Sequence, residues 1–427
     1  MSYNSSPSQR LRSSQMQRVI HLALYGSIEH TSKENLIWDL YQTEPLARLR
    51  DISLSSSSAR FTPHGNAAGR FQHSVGVSYL ARRLCDMHKV LKPYRALLSA
   101  AALTHDIGSP PFSHISEMFL YDFTGRTHEQ QTELLLAPGT ELHDLLSFYE
   151  VDPQEVTDII NGVQRPLGPL IAGSLDLDNA DNSLHLLWSF GYSDCAPYHP
   201  LNLINAFKLV GGQVALDSSY LKDILGWADV RRTLYRLLYS EASLSSTAML
   251  YRALEYAYAN GALTAAFFDR GESDALQHLR DSSGDEARLI VEALNRWRHY
   301  PLVYEQTSRV EDPRIVALYD DWKARKRLAD MLADELNMPR EQICVYVGRD
   351  RGEKQITLPF VGPQAGPAAA LFADRRGEQR LAVFAHKSAR ELHKHDKFGR
   401  LTALPDLIDA LLNEIPDISR TTAHVFL

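Results

Sequence analysis

The sequence predicts a mainly α fold that ends in a small α/β appendage. Two observations carry the prediction. From Val19 to Ala259 most segments repeat their apolar residues at helical spacing, with breaks at Pro and Gly clusters. After Pro339 the pattern changes: ICVYVGR, KQITLPFVG and RLAVFAHK are short runs that read as strands, and LPDLIDALLNEI reads as a helix. These shifts divide the chain into a polar tail (1–17), a helical domain (18–340) and a small α/β domain (341–427).

Taken in order, Met1 to about Gln17 is a Ser-, Gln- and Arg-rich tail, and Ser53 to Ala68 is a loop by composition. In GRFQHSVGVSYLARRL, Val75, Val77, Leu80 and Leu84 suit a helix with one buried face, and His73 sits in its first turn. The apolar run Leu97 to Leu103 predicts a buried helix. Thr127 and Gln130 form a capping box that opens another. LINAFKLVGGQVALD reads as a hairpin around Gly211-Gly212. Asp312 as cap and Pro313 at the first helical position open a long helix to about Leu336. The chain from Val19 to Leu336 is thus expected to be almost all helical, and no internal repeat is present.

Composition narrows the function classes. A net charge of −7 over 427 residues argues against a nucleic-acid protein that works through a global basic field. Cys85, Cys195 and Cys344 are far apart and form no CxxC pair, which argues against a disulfide framework and fits a reducing compartment. No apolar run approaches a membrane span, and the N-terminus lacks a signal-peptide core. The expectation is a cytoplasmic protein with no membrane and no nucleic-acid partner.

The chemistry concentrates in ALTHDIGSPPFSH, where His105 and Asp106 are adjacent at the end of the apolar run. Imidazole suits Zn, Fe, Ni or Mn, and a carboxylate adds charge for a hard or borderline cation. Alone, the dipeptide also fits capping or salt-bridge roles. Three further segments each place a titratable group near the start of a predicted helix: His73; Asp176, Asp178 and Asp181 in SLDLDNADNSLHLLWSFG; and His128-Glu129 in RTHEQQTELLL. Asp178 and Asp181, three apart, share a helix face.

Together these motifs resemble the HD-domain metal-dependent phosphohydrolases, and more closely their deoxynucleoside triphosphate triphosphohydrolase (SAM- and HD-domain dNTPase-like) branch. The resemblance runs from near His30 to about Ala259. It includes ARLRDI, GRFQHSVGVSYLA, ALTHDIGSPPFSH, THEQ, LDLDNAD and VRRTLYRLLYSE in the branch's order and approximate spacing. It implies an HD-domain helical core and one divalent metal (Mn, Fe, Ni, Co, Zn or Mg) held by His73, His105, Asp106 and Asp178. Two imidazoles and two carboxylates leave positions for water and a phosphate oxygen. Asp176 is then a helix cap, and Asp181 pairs with a base or orients a histidine.

The same resemblance assigns His128 to protonation of the leaving oxygen or to phosphate binding, and His114 to the phosphates. It makes Glu129 an orienting group and Glu117 an acidic neighbour of the catalytic histidine. Arg70, Arg231 and Tyr239 become phosphate, base or sugar contacts. Each has a plainer reading as a structural histidine, a helix-start carboxylate or part of an amphipathic surface. A nucleotide substrate and a homo-oligomer are also implied. The leading reaction is dNTP to deoxynucleoside plus triphosphate; the alternatives are removal of one or more phosphates from another nucleotide, or a nucleotide-sensing module with little turnover.

Several positions depart from the branch. Ser109 stands where HDxGH has its second histidine. Asn179 and Asn182 stand where a lysine and a tyrosine grip the triphosphate. Leu186 occupies the place of a sugar-reading aspartate, a glutamine is replaced near Leu54, and LYGSIEH is degraded from the branch's Asp-Pro-Ile-His-Gly. The metal-ligand set is intact, while much of the triphosphate and deoxyribose reading is not.

Overall fold

A computed structural model describes residues 18–55, 59–61, 68–192, 196–373, 377–388 and 403–415. The expected N-terminal tail and part of the expected 53–68 loop lie outside the described residues.

The helical core forms around α1 (Arg70–Met87) and α2 (Arg95–Thr104), which pack along each other. Val75, Val77, Leu80 and Leu84 are fully buried on α1, as the spacing predicts. Burying each such side chain contributes about 1.5–3 kcal/mol. On α2, the fully buried run Ala100-Ala101-Ala102 keeps side-chain volume low where the two helices meet. α3 (His114–Thr124) and α4 (His128–Leu135) follow, then α5 (Leu177–Ser189), which packs against both α1 and α6 (Leu221–Leu238). α7 (Glu241–Ala259) organises a second apolar cluster with residues of α3. No helix among the described residues is long and apolar enough to cross a membrane.

Strands interrupt the region expected to be almost all helical. β1 (Val19–Leu22) and β2 (Gly26–Glu29) form a hairpin; Gly26, at φ +69°, opens β2 directly after the turn, where a side chain would be strained. β3 (Phe207–Val210) and β4 (Gln213–Asp217) are the predicted hairpin. β5 (Leu302–Ser308) joins β6 (Ile343–Arg349) and β8 (Gln379–Ala385) in a sheet of order β5-β8-β6, antiparallel throughout. The boundary drawn at residue 340 thus has strands of one sheet on both sides of it.

The long helix expected from Pro313 is two helices, α8 (Pro313–Asp320) and α9 (Trp322–Leu336). They part at Asp321, whose side chain accepts from the backbone N–H groups of Lys323 and Ala324 and caps a new helix. α9 and α10 (Leu404–Glu414) bury their apolar faces against this sheet.

KQITLPFVG yields only a two-residue strand, β7 (Phe360–Val361), parallel to β4. That short pairing has a large consequence: it returns the C-terminal chain to the helical core. Ile356 and Phe372 are buried there, and the end of β6 with Arg351 just beyond it lines one side of the central cavity.

Candidate metal centre and phosphate pocket

His73 lies in the first turn of α1, completely buried, and His105 directly follows α2. Each ring is oriented through its Nδ1. His105 Nδ1 is 2.8 Å from the carbonyl of Ala102, and His73 Nδ1 is 2.6 Å from Asp181 Oδ1. A carbonyl and a carboxylate accept only, so both Nδ1 atoms carry the proton and both Nε2 lone pairs face the site. Both Nε2 atoms are buried without a hydrogen-bond partner. The ligating atoms of His73, His105 and Asp106 all lie within 4.8 Å of one another. Asp178 Oδ1 is 3.0 Å from His73 Nε2, though not in hydrogen-bond geometry. Two orphaned imidazole nitrogens facing two carboxylates are the donor set a divalent cation requires. The rings stand 5.3 Å apart at 74°, edge to face rather than stacked.

The electrostatics agree. Burial pulls the His73 imidazole down, but Asp178 and Asp181 outweigh it and push it up to about 10. A field that holds a proton so firmly favours a divalent cation in its place. Burial opposes ionisation of Asp106, yet Arg70, His105 and His73 hold its carboxyl well below the usual range. Asp181 is shared: it also meets His185 Nδ1 at 3.2 Å and accepts from the Tyr25 hydroxyl at 2.5 Å. Gly76 makes that approach possible, because a Cβ there would lie 2.3 Å from Asp181 Oδ2. Asp176 caps α5 through the N–H of Asn179, as expected; burial and Asp178 push its carboxyl up to about 6.

A second constellation faces the first. Glu117 Oε1 is 2.8 Å from His114 Nδ1 and 3.0 Å from His128 Nδ1, and Glu129 Oε1 is 3.2 Å from His128 Nε2. Thr127 and Gln130 form the predicted capping box, which fixes His128 at the first position of α4. Gly108 brings the 105–109 loop against that point: a Cβ there would lie 2.2 Å from the His128 carbonyl. Before α3, Phe112 and Ser113 both adopt positive φ, 65° and 52°. Such strain costs on the order of 1–3 kcal/mol per residue and gathers where a site is being shaped. Ser113 Oγ is tied down on both sides, donating to the Ser53 carbonyl at 2.6 Å and accepting from Arg70 Nε at 2.9 Å.

Both constellations border a cavity of about 490 Å³. Arg70, His105, Asp106, His114, Glu117, His128, Glu129, Asp178, Arg231 and Tyr239 all line it, and His73 lies behind. Three of these are engaged otherwise than expected. The Arg70 guanidinium pairs with Asp106 Oδ2 at 2.5 Å. Arg231 Nε donates to the Arg351 carbonyl and the Tyr239 hydroxyl to the Arg349 carbonyl, so both hold the returning chain.

The departures are also located. Ser109 is buried with an unpartnered Oγ, Asn182 donates to Asp178 Oδ1 at 3.1 Å, and Leu54 and Leu186 give the cavity an apolar margin. Sequence reasoning missed Tyr25, Tyr251, Tyr319, Arg349 and Arg351 at the site. No local signal marks them, since each arrives from a distant part of the chain.

The model of the HD-domain family matches residues 70–184, the stretch that carries all four candidate ligands. A curated relative, the deoxynucleoside triphosphate triphosphohydrolase SAMHD1 homolog of Dictyostelium discoideum, is 25% identical over 241 residues, covering 52% of this chain and 46% of the relative. The protein YwfO of Bacillus subtilis is 33% identical over 157 residues, 35% of each chain. This chain therefore aligns with less than half the length of either. Among solved structures, a hypothetical protein from Aquifex aeolicus superposes with a TM-score of 0.66 at 19% identity, covering 88% of this chain and 98% of that one. A phosphohydrolase from Bacteroides thetaiotaomicron gives a TM-score of 0.61 at 17% identity, covering 86% and 99%. At these identities the two structures speak for the fold. Motif, matched span and fold agree: residues 70–184 of this chain match the HD domain, and the chain shares the fold of the two solved structures.

Proposed function

We propose that the chain is a metal-dependent phosphohydrolase acting on nucleotides, with cleavage of a deoxynucleoside triphosphate to deoxynucleoside and triphosphate as its leading reaction. One observation carries the reading: two buried, partnerless imidazole Nε2 atoms converge with Asp106 and Asp178 beside a cavity lined by arginines, histidines and tyrosines. His73, His105, Asp106 and Asp178 would hold the cation. When bound, such a cation supplies Lewis-acid polarisation of a phosphoryl oxygen and acidifies water.

The protein's own groups do the rest. Glu117 holds His128 by Nδ1, leaving its Nε2 edge toward Glu129 and the cavity, and His128 is the proton donor for the leaving oxygen. Arg231 and His114 contribute positive charge or N–H donors for phosphate oxygens. Tyr239 and the neighbouring tyrosines offer aromatic faces to the nucleoside. The homology of part of the chain to SAMHD1 proteins supports the nucleotide assignment.

Ser109 favours a second reading, a nucleotide-binding HD module with little turnover, because a buried serine supplies no titratable group near neutral pH. Product analysis by mass, after incubation with dNTPs, NTPs and nucleoside monophosphates and with Mn, Fe, Co, Ni or Mg supplied, decides between them. Triphosphate release from dNTPs is expected; tight nucleotide binding without products would favour the module.

A further inference from the structure

Residues 51–53 and the start of the helix Glu272–Ser282 grip each other through matched contacts. The Ser53 N–H donates to Glu272 Oε1 and the Ser53 hydroxyl to Glu272 Oε2, each at 2.8 Å. In return, the Ser273 N–H donates to Asp51 Oδ2 at 2.9 Å and the Ser273 hydroxyl to Asp51 Oδ1 at 2.8 Å. Gly271 admits this approach, because a Cβ there would lie 2.5 Å from Asp51 Oδ2.

The two arms of the clasp differ. Asp51 is partly exposed, whereas Glu272 and Ser53 are buried. Both Glu272 oxygens are engaged by one serine rather than by a cation, and burial pushes the carboxyl up against the pull of those two bonds. A buried carboxylate held by neutral donors is costly. Fastening a helix, which the exposed arm already does, does not account for it.

The buried arm continues to the candidate metal centre. The Ser53 carbonyl accepts from the Ser113 hydroxyl at 2.6 Å, and Ser113 Oγ accepts from Arg70 Nε at 2.9 Å. A serine has one hydroxyl proton and a carbonyl only accepts, so the Ser113 lone pairs are left for Arg70. Arg70 Nη1 then meets Asp106 Oδ2 at 2.5 Å. The backbone takes the same route: the Arg70 N–H donates to the Ile52 carbonyl and the Leu54 N–H to the Ala68 carbonyl, each at 2.8 Å. Residues 52–54 thus hold both the start of α1 and the Arg70 side chain. Ser53, Arg70, Asp106 and Ser113 are all buried, so bulk water does not make good a lost link.

We propose that Glu272 is a positioning residue for the metal centre: through Ser53 and Ser113 it holds the Arg70 guanidinium in the orientation that sets Asp106. The proposal rests on the reading of His73, His105, Asp106 and Asp178 as metal ligands. It adds to that centre a carboxylate from outside residues 70–184, on a helix whose Ala275, Leu276 and Leu279 belong to the second apolar cluster. The packing of that cluster is thereby linked to the geometry of the centre.

Competition between the full-length protein and a chelating dye for Mn²⁺ tests this without turnover. Glu272→Met keeps the volume and removes both acceptors. It should weaken Mn²⁺ binding by about three- to tenfold, below the ~10- to 100-fold that follows loss of a directly bonded partner. Ser113→Ala cuts the same chain nearer the centre and should weaken Mn²⁺ similarly. The double variant should bind no more weakly than the worse of the two singles, because links of one network do not add. Glu272→Gln keeps an acceptor for the Ser53 N–H and should restore most of the affinity. Ser273→Ala loosens the exposed arm and should bind Mn²⁺ as wild type does, even where its melting temperature falls. Should Glu272→Met fail to fold, Glu272→Asp, one methylene short of Ser53, carries the same comparison. Wild-type affinity in that variant, additive losses in the double, no recovery in Glu272→Gln, or an equal loss in Ser273→Ala overturns the relay. A wild type that binds no Mn²⁺ removes the metal centre and the relay together, whereas Mn²⁺ binding without nucleotide products counts against the enzymatic reading alone.

Discussion

Glu117 Oε1 lies 3.0 Å from His128 Nδ1, and both side chains are largely withdrawn from solvent. Burial pulls the imidazole down, but Glu117, Glu129 and Asp106 outweigh it and raise His128 to about 9. The carboxyl of Glu117 is in turn held well below its usual range by His114 and His128, despite its own burial. A carboxylate that keeps a histidine protonated at neutral pH makes it a ready acid.

The pH dependence follows from the sign of that shift. His128 is protonated below its raised pKa and loses its proton as pH climbs through about 9, so activity should fall on an alkaline limb above the ordinary histidine value of about 6.5. The pair's contribution to stability has the same direction: fully present below about 6.5 and lost as pH rises toward the folded pKa. Glu117→Gln should move the limb back toward 6.5. His128→Ala should lower turnover by about 10² to 10⁴ with metal content intact, and unchanged turnover would make His128 structural.

Asp181 orients His73 without facing the cavity. Asp181→Asn can offer its amide N–H to Nδ1 and so release the imidazole from the required tautomer. Loss of such a partner typically lowers metal affinity by about 10- to 100-fold. Competition with a chelating dye reads the affinity directly. Wild-type affinity in Asp181→Asn would mean that His73 is held by packing alone.

Asp106→Ala should abolish metal binding, read by elemental analysis. It also strands Arg70, whose guanidinium is buried against that carboxylate at 2.5 Å. Breaking one side of a buried pair costs about 3–5 kcal/mol, so the melting temperature should fall as well. Removing the stranded charge with Arg70→Met in the same chain should recover part of the stability and none of the metal. Full metal occupancy in Asp106→Ala would refute the ligand assignment.

Gly108→Ala tests the packing of the two constellations. The new methyl would have to displace the backbone of α4 at His128, an overpacking that costs about 1–3 kcal/mol. Turnover should drop while metal content stays at the wild-type level. A fully active Gly108→Ala protein would show that the loop and α4 have room to separate.

The helical class, the buried face of α1, the capping box at Thr127, the β3–β4 hairpin and the clustering of chemistry around His73, His105, Asp106, Asp178 and His128 were legible in the chain itself. The first four rest on a short-range pattern, such as a repeat of apolar residues or a cap and its partner three residues on, and the clustering is what the family resemblance implies. The rest depended on contacts between distant residues, which local pattern does not encode. Tyr25 reaches Asp181 across 156 positions, Lys354 reaches Asn179 across 175, and Arg231 meets the Arg351 carbonyl across 120. β5 was hidden for the same reason: Leu302–Ser308 acquires its strand state from pairing with β8, whose residues lie more than seventy positions further along. Sequence alone therefore pointed, through its family resemblance, to an HD-type core and to candidate ligands by type. Only the folded chain decided which Nδ1 partners orient the histidines, that Arg70 neutralises Asp106, and that a C-terminal segment walls the cavity, because packing alone brings such remote groups within hydrogen-bond distance.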